Sequence, residues 1–116
     1  RAAISEPPTP GHRVFVATQE GEVVGLAAVS PPQDLIALEV APDRRRRGHG
    51  SRLLAASADH IREHGGSTMR IWALEKDAIR TRYLREAGFA EAGMRRELDG
   101  PGIVIPEQLW HTALED

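Results

Sequence analysis

Cysteine is absent from this chain of 116 residues. That excludes disulfide staples, thiolate metal sites and a cysteine nucleophile. No apolar run approaches the about 18 residues that cross a bilayer, and no apolar core at the start marks a secretory signal. Positive charge is not in surplus either. Lys and Arg total 15 against 17 for Asp and Glu, a formal net charge of −2, whereas a general polyanion binder shows its basic excess in the sum. Internal repeats and low-complexity tracts are missing. What is present suits one compact domain: at this length roughly two-thirds of the chain's surface is buried on folding, enough for one sheet and a few helices. A cytoplasmic location is the default expectation.

The chain begins at Arg1, and translation is expected to start further upstream. Residues 1–12, with Pro7, Pro8 and Pro10, predict an extended arm, and 13–116 form the domain. Val14, Phe15 and Val16 precede Glu20-Gly21, and Val23, Val24 and Leu26 follow it, a hairpin signal. Pro31-Pro32 ends the second strand. Leu35 through Val40 is largely apolar, so 34–40 is a third strand covered on both faces and stopped by Pro42. Leu53, Leu54, Ala58 and Ile61 recur at helical spacing, giving a helix over about 50–64 that Gly65-Gly66 ends. Residues 68–74 are a fourth strand. Ile79, Tyr83 and Ala87, at four-residue steps, predict a second helix over about 77–87, closed by Gly88. Extended chain resumes at Phe89 and breaks once at Pro101-Gly102. The order β-β-β-α-β-α-β-β makes an α/β domain with a mixed sheet.

Chemistry concentrates where the third strand meets the first helix, from Val40 to Ser51. A loop with glycines opens a helix there. Glycine lets backbone amides converge on one point and allows a bulky anion close, and the helix start adds unpaired N–H groups and a positive dipole end. This is a pyrophosphate cradle, with arginines able to reach further phosphates. It is not a P-loop, because no Lys-Ser/Thr follows the second glycine. It is a poor dinucleotide fingerprint, because the third glycine position is Leu53.

Arg45-Arg46-Arg47-Gly48-His49-Gly50, behind the lead Val40-Ala41-Pro42, resembles the acyl-coenzyme A signature of the GNAT N-acetyltransferase superfamily, Arg/Gln-x-x-Gly-x-Gly/Ala. The strand, helix, strand, helix and Gly88-Phe89 follow in that family's order, and the resemblance spans roughly residues 13–95. It implies a GNAT-like, largely antiparallel sheet with helices on its faces, and direct transfer of an acetyl group from acetyl-CoA to a primary amine, without a metal. Backbone groups of Leu38, Glu39 and Val40 would hold the pantetheine arm and the thioester carbonyl. Arg45, Arg46, Arg47, Gly48, His49, Gly50 and Ser51 would hold the pyrophosphate, and Asp77 stands where the family has an Asn. The family's usual acid, a tyrosine, is matched by Leu84. Tyr83 comes one residue earlier, about 100° away around the helix, an orientation that favours the core, so protonation of the leaving thiolate is open between Tyr83, water and another group. Candidate bases are Asp34, Glu39 and Glu75. Asp34 falls where some members place a base and Glu39 lies nearest the thioester; alternation along a strand puts these two on opposite faces, and Glu39 is favoured. The family's first strand and two helices have no counterpart here, so they are expected in a missing upstream part or from another subunit, and homodimers are common in the family. Trp72-Ala73, Phe89 and Met94-Arg95-Arg96 are also similar to the N-terminal, GNAT-like half of actinobacterial mycothiol synthase.

Plainer readings stand beside these. Arg44 to Arg47, without interleaved aromatics, could be a solvated loop or a nucleic-acid patch, and the glycines at the right offsets favour the cradle. His60 and His64 share a helix face near its C-terminal end, but Ile61 stands where a zinc-protease helix needs Glu, so surface histidines, or histidines that suit the helix dipole, are expected. His49 is expected to be a solvent-facing spacer. Trp72 and Trp110 suit core or interface, with Trp72 a candidate border of the acyl pocket. Glu75 and Asp77 suit either a helix cap or a site role. The function expected is an N-acetyltransferase with acetyl-CoA and an amine as its partners, and neither nucleic acid nor membrane. The alternative is a non-catalytic acyl-CoA-binding module of the same fold.

Overall fold

The computed structural model describes residues 11–114, so of the arm expected over residues 1–12 only Gly11 and His12 lie within the described residues. The elements are β1 (Arg13–Gln19), β2 (Glu22–Ser30), β3 (Asp34–Val40), α1 (His49–Glu63), β4 (Thr68–Leu74), α2 (Ala78–Glu86), β5 (Ala90–Gly100) and β6 (Ile103–Ala113), with one 3-10 turn at Pro42–Arg44. The order is the one the sequence predicts. The first hairpin turns at Glu20 and Gly21, both at positive φ, 54° and 81°, the backbone that a two-residue turn needs to match strand twist. No helix among the described residues is long and apolar enough to cross a membrane.

The six strands form one sheet in the order β1-β2-β3-β4-β6-β5. Neighbours are antiparallel except for β3 and β4, which are parallel. The crossovers β3-α1-β4 and β4-α2-β5 advance in the same direction across the sheet, and right-handed crossovers of that kind place their helices on the same face. One buried cluster accordingly joins Leu53, Ala58 and Ile61 of α1 and Leu84 of α2 to Ala27, Val29, Leu35, Leu38, Ile71 and Trp110 of the sheet. The Arg85 guanidinium of α2 lies 5.3 Å over the Trp110 ring on that face.

This arrangement corrects two expectations. Among the described residues β3 is covered on one face only: Val16, Leu26 and Ile36 of β1, β2 and β3 are all exposed. On α2 the buried residue is Leu84, while Ile79 of the predicted apolar stripe is 73% exposed.

A third correction concerns register. The β2–β3 ladder runs Ala28↔Ala37 and then Val29↔Leu35, which leaves Ile36 as an extra residue in β3. Such a bulge reverses which side chains face which way beyond it. Leu35 and Leu38, separated by an odd step, are both buried in the core cluster. Asp34 and Glu39 therefore share the opposite, helix-free face instead of standing on opposite faces.

Candidate functional site

β3 and β4 are joined at one end and apart at the other. Their register holds the single pair Asp34↔Arg70. The Arg70 N–H donates to the Gln33 carbonyl at 2.8 Å, and the Arg70 guanidinium donates to the Asp34 carboxylate at 2.5 Å. Past that pair no ladder joins the two strands among the described residues, so their C-terminal halves turn main-chain groups toward a gap. Ligands of α/β sheets gather at such a place, outside the carboxyl ends of parallel strands.

A cleft of about 880 Å³ opens there, within the range of small-molecule sites. One wall is Leu38, Glu39 and Val40 of β3. A second is Arg45, Arg46, His49 and Gly50 at the entry to α1. The third is α2, which contributes Asp77 at its N-cap, then Arg80 and Tyr83. Arg47, Gly48 and Ser51 flank this lining. The structure thus brings most of the predicted cradle and the predicted β3 segment to one volume.

The start of α1 leaves its first amides uncapped. Gly48 is its N-cap at φ 83°, no side chain caps it, and no acidic residue stands in its first turn. The first intrahelical bond is from the Arg52 N–H to the Gly48 carbonyl at 3.1 Å. The amides of His49, Gly50 and Ser51 therefore have no helical acceptor and carry the positive end of the dipole. α2 is the opposite case, because the Asp77 carboxylate accepts from the Arg80 N–H at 2.9 Å. Asp77 is thus a helix cap that also borders the cleft. In the loop Arg46 holds a left-handed φ of 66°, which costs a non-glycine residue about 1–2 kcal/mol. Arg44 is tied to Glu22 at 3.2 Å, whereas Arg45, Arg46 and Arg47 make no ion pair among the described residues.

His49 is not a solvent-facing spacer; it is 5% exposed. Arg52 donates to His49 Nδ1 at 2.8 Å, and arginine can only donate. The imidazole is therefore neutral, with its proton on Nε2, which donates to the Gln19 side-chain oxygen at 2.9 Å. The cradle is pinned in this way to the end of β1. Gln19 was not legible as a site residue, since the His49–Gln19 contact spans 30 positions of sequence; Arg52 was missed although it stands three residues from His49 on the same helix face. Arg80 was also missed. The signal for it was its place one turn beyond the cap Asp77.

Tyr83 is partly buried: its side chain packs against the core cluster and also borders the cleft, while Leu84 beside it is fully buried in the core. Its hydroxyl lies 2.7 Å from the position a Cβ on Gly50 would take. Burial lifts its ionisation above the ordinary 10.0, with the Arg80 charge pulling the other way. Glu39 accepts from Arg80 at 2.9 Å across the cleft. Asp34 sits at the closed end, engaged by Arg70. Glu75 is not in the cleft: it pairs with Arg95, whose hydrogen bond holds its carboxyl below the usual range. Trp72 is on the helix-free face with Arg96 stacked 4.4 Å over its ring, and Trp110 is in the core. His60 is buried instead of on the surface, bonded through Nε2 to the Gly11 carbonyl at 2.6 Å.

Comparison with known proteins places this arrangement among acetyltransferases. The model of the acetyltransferase (GNAT) family matches residues 3–89. The uncharacterized N-acetyltransferase YuaI of Bacillus subtilis (strain 168) is 32% identical over 105 residues, covering 77% of this chain and 61% of that protein. A GCN5-related N-acetyltransferase structure from Rhodopseudomonas palustris superposes with a TM-score of 0.78 at 21% identity, over 90% of this chain and 62% of the other. A GNAT family acetyltransferase from Elizabethkingia anophelis, solved with acetyl-CoA bound, has a TM-score of 0.72 at 15% identity, over 90% and 77%. At these identities the structures show the shared fold. The chain spans about three-fifths of the length of the Bacillus and Rhodopseudomonas relatives.

Proposed function

This chain belongs to the acetyltransferase (GNAT) family, and from that premise we propose that it moves an acetyl group from acetyl-CoA to a primary amine by direct attack. One observation carries the reading. The uncapped start of α1 stands at the open end of the parted strands β3 and β4. A single elongated ligand with a diphosphate at one point and peptide-like amides beyond it uses both features at once.

In this reading the amides of His49, Gly50 and Ser51 hold the diphosphate, and Arg45 and Arg46 add charge-assisted bonds to phosphate oxygens. The unpaired main chain of Leu38, Glu39 and Val40 takes the amide-bearing arm much as a neighbouring strand would. A backbone N–H of that segment, aimed at the thioester carbonyl, stabilises the negative charge that grows on the oxygen during attack. The amine nitrogen forms a bond to the carbonyl carbon, the carbon–sulfur bond breaks, and the thiolate leaves and takes up, through water, the proton that the nitrogen loses as it becomes an amide. The chain has no cysteine to carry the acetyl group in between.

The amine arrives protonated and loses its proton to a base. We assign that role to Glu39, directly or through one water, because Glu39 lines the cleft while Asp34 is held by Arg70 at its closed end. Both carboxylates stand on the helix-free face, so the amine approaches from that side, opposite the helices that shape the donor's seat.

The test is calorimetric titration of the protein with acetyl-CoA, followed by free-thiol release across a panel of primary amines. Saturable binding and amine-dependent thiol release are expected. No binding at millimolar acetyl-CoA would overturn the reading, and binding without turnover on any amine would favour the non-catalytic module.

A further inference from the structure

The Tyr83 hydroxyl is buried and has no hydrogen-bond partner among the described residues. Among the described residues three other buried side-chain atoms share that state, on His12, Arg62 and Trp110, but none of those residues borders the cleft. Buried donors without acceptors are costly, and native proteins keep few of them. This one lies beside Gly50, in the first turn of α1, where three amides also lack acceptors. Two separate sets of unsatisfied donors, from two helices, thus converge on one place.

α2 also fixes which end of the cleft Tyr83 serves. Arg80 reaches Glu39 on β3. Tyr83, one turn further along the helix, reaches Gly50 on α1. The helix therefore spans from the carboxylate at the reacting end to the anion seat at the other, and Tyr83 stands at the anion seat. We infer that Tyr83 binds the acetyl donor, its hydroxyl donating to an anionic oxygen of the diphosphate at the first turn of α1, and that it positions the donor instead of protonating the leaving thiolate. This deepens the acetyl-CoA reading and rests on it. A hydroxyl already withdrawn from water needs no further desolvation when the anion arrives, which strengthens the bond it makes there.

The experiment compares wild type with Tyr83→Phe by calorimetric titration with acetyl-CoA and by thermal unfolding of the free proteins. Removing a hydroxyl that has no partner in the free protein leaves Tm unchanged or raises it. Removing a donor to the diphosphate weakens acetyl-CoA binding roughly tenfold. Binding within twofold of wild type overturns the inference while leaving the acetyl-CoA reading intact. A Tm lowered by several degrees also overturns it, because the hydroxyl would then have a partner without the donor. Failure of the wild type itself to bind acetyl-CoA removes the underlying reading, and that result is visible before the variant is made.

Discussion

Asp34 and Glu39 project from the same face of β3 because Ile36 is an extra residue in the ladder with β2. Their surroundings then separate them. Asp34 is clamped by Arg70 where β3 and β4 meet. Glu39 stands where the strands have parted, 66% exposed in its side chain, with only Arg80 against it. Glu39→Gln is expected to lower kcat for amine acetylation by about 100-fold or more, the scale of a lost general base, with acetyl-CoA binding nearly unchanged. Asp34→Asn is expected to leave kcat within a few-fold. Steady-state kinetics on the best amine of the panel checks both, and equal losses would count against Glu39.

Gly50 and Tyr83 form a second testable pair. A Cβ on Gly50 would lie 2.7 Å from the tyrosine oxygen but 3.4 Å from the ring carbon that bears it. Gly50→Ala alone is expected to destabilise the protein by about 1–3 kcal/mol, the cost of overpacking. Gly50→Ala combined with Tyr83→Phe is expected to recover most of that loss, because the ring carbon sits at ordinary contact distance. Urea unfolding of the four proteins gives the coupling energy, expected at about 1 kcal/mol or more.

Gly48 makes a harsher demand. Its φ of 83° is a left-handed conformation, and a Cβ there would meet the end of the Arg52 side chain at 2.9 Å. Gly48→Glu adds a carboxylate beside the proposed anion seat as well as strain. Acetyl-CoA binding by calorimetry is expected to fall at least about 100-fold, given that like-charge juxtaposition costs several kcal/mol.

On α2 the burial pattern sets the stability effects. Leu84 is fully buried in the core cluster, so Leu84→Ala is expected to cost about 2–5 kcal/mol in urea unfolding. Ile79, at 73% exposure, is expected to tolerate Ile79→Ala within about 0.5 kcal/mol.

The chain has one tyrosine, so phenolate absorbance reports Tyr83 alone. Its native titration is expected above the ordinary 10.0, since burial disfavours the charged form, and to return to the ordinary value in urea. The raised native pKa makes the folded state hold its proton longer than the unfolded one. Stability from this source is complete below the unfolded pKa and is lost as pH climbs through the native one. Tyr83→Phe is expected to flatten the alkaline fall of stability, measured by urea unfolding between about pH 9 and 12.

Periodicity and punctuation in the sequence were enough for the elements and for the uncapped helix start on which the proposed cradle rests. The alternation and apolar runs of 34–40 and 68–74 marked β3 and β4 to the residue. The apolar spacing from Leu53 to Ile61 marked α1, and the glycines at 48 and 50 marked its entry. Those signals are local: each depends on φ, ψ and the side chains of near neighbours, so the chain carries them in its order. What tertiary structure alone decided is how distant pieces meet. A one-residue slip against β2 turned Asp34 and Glu39 to the same side. The shared sense of two crossovers put both helices on one face and left the other without a helix among the described residues, and His49 found Gln19 across 30 positions. On α2 the core enclosed Leu84 and left Tyr83 at its edge, where it also borders the cleft. Adjacent residues on a helix differ by about 100° in direction, and which of the two faces inward depends on the sheet that the helix packs against.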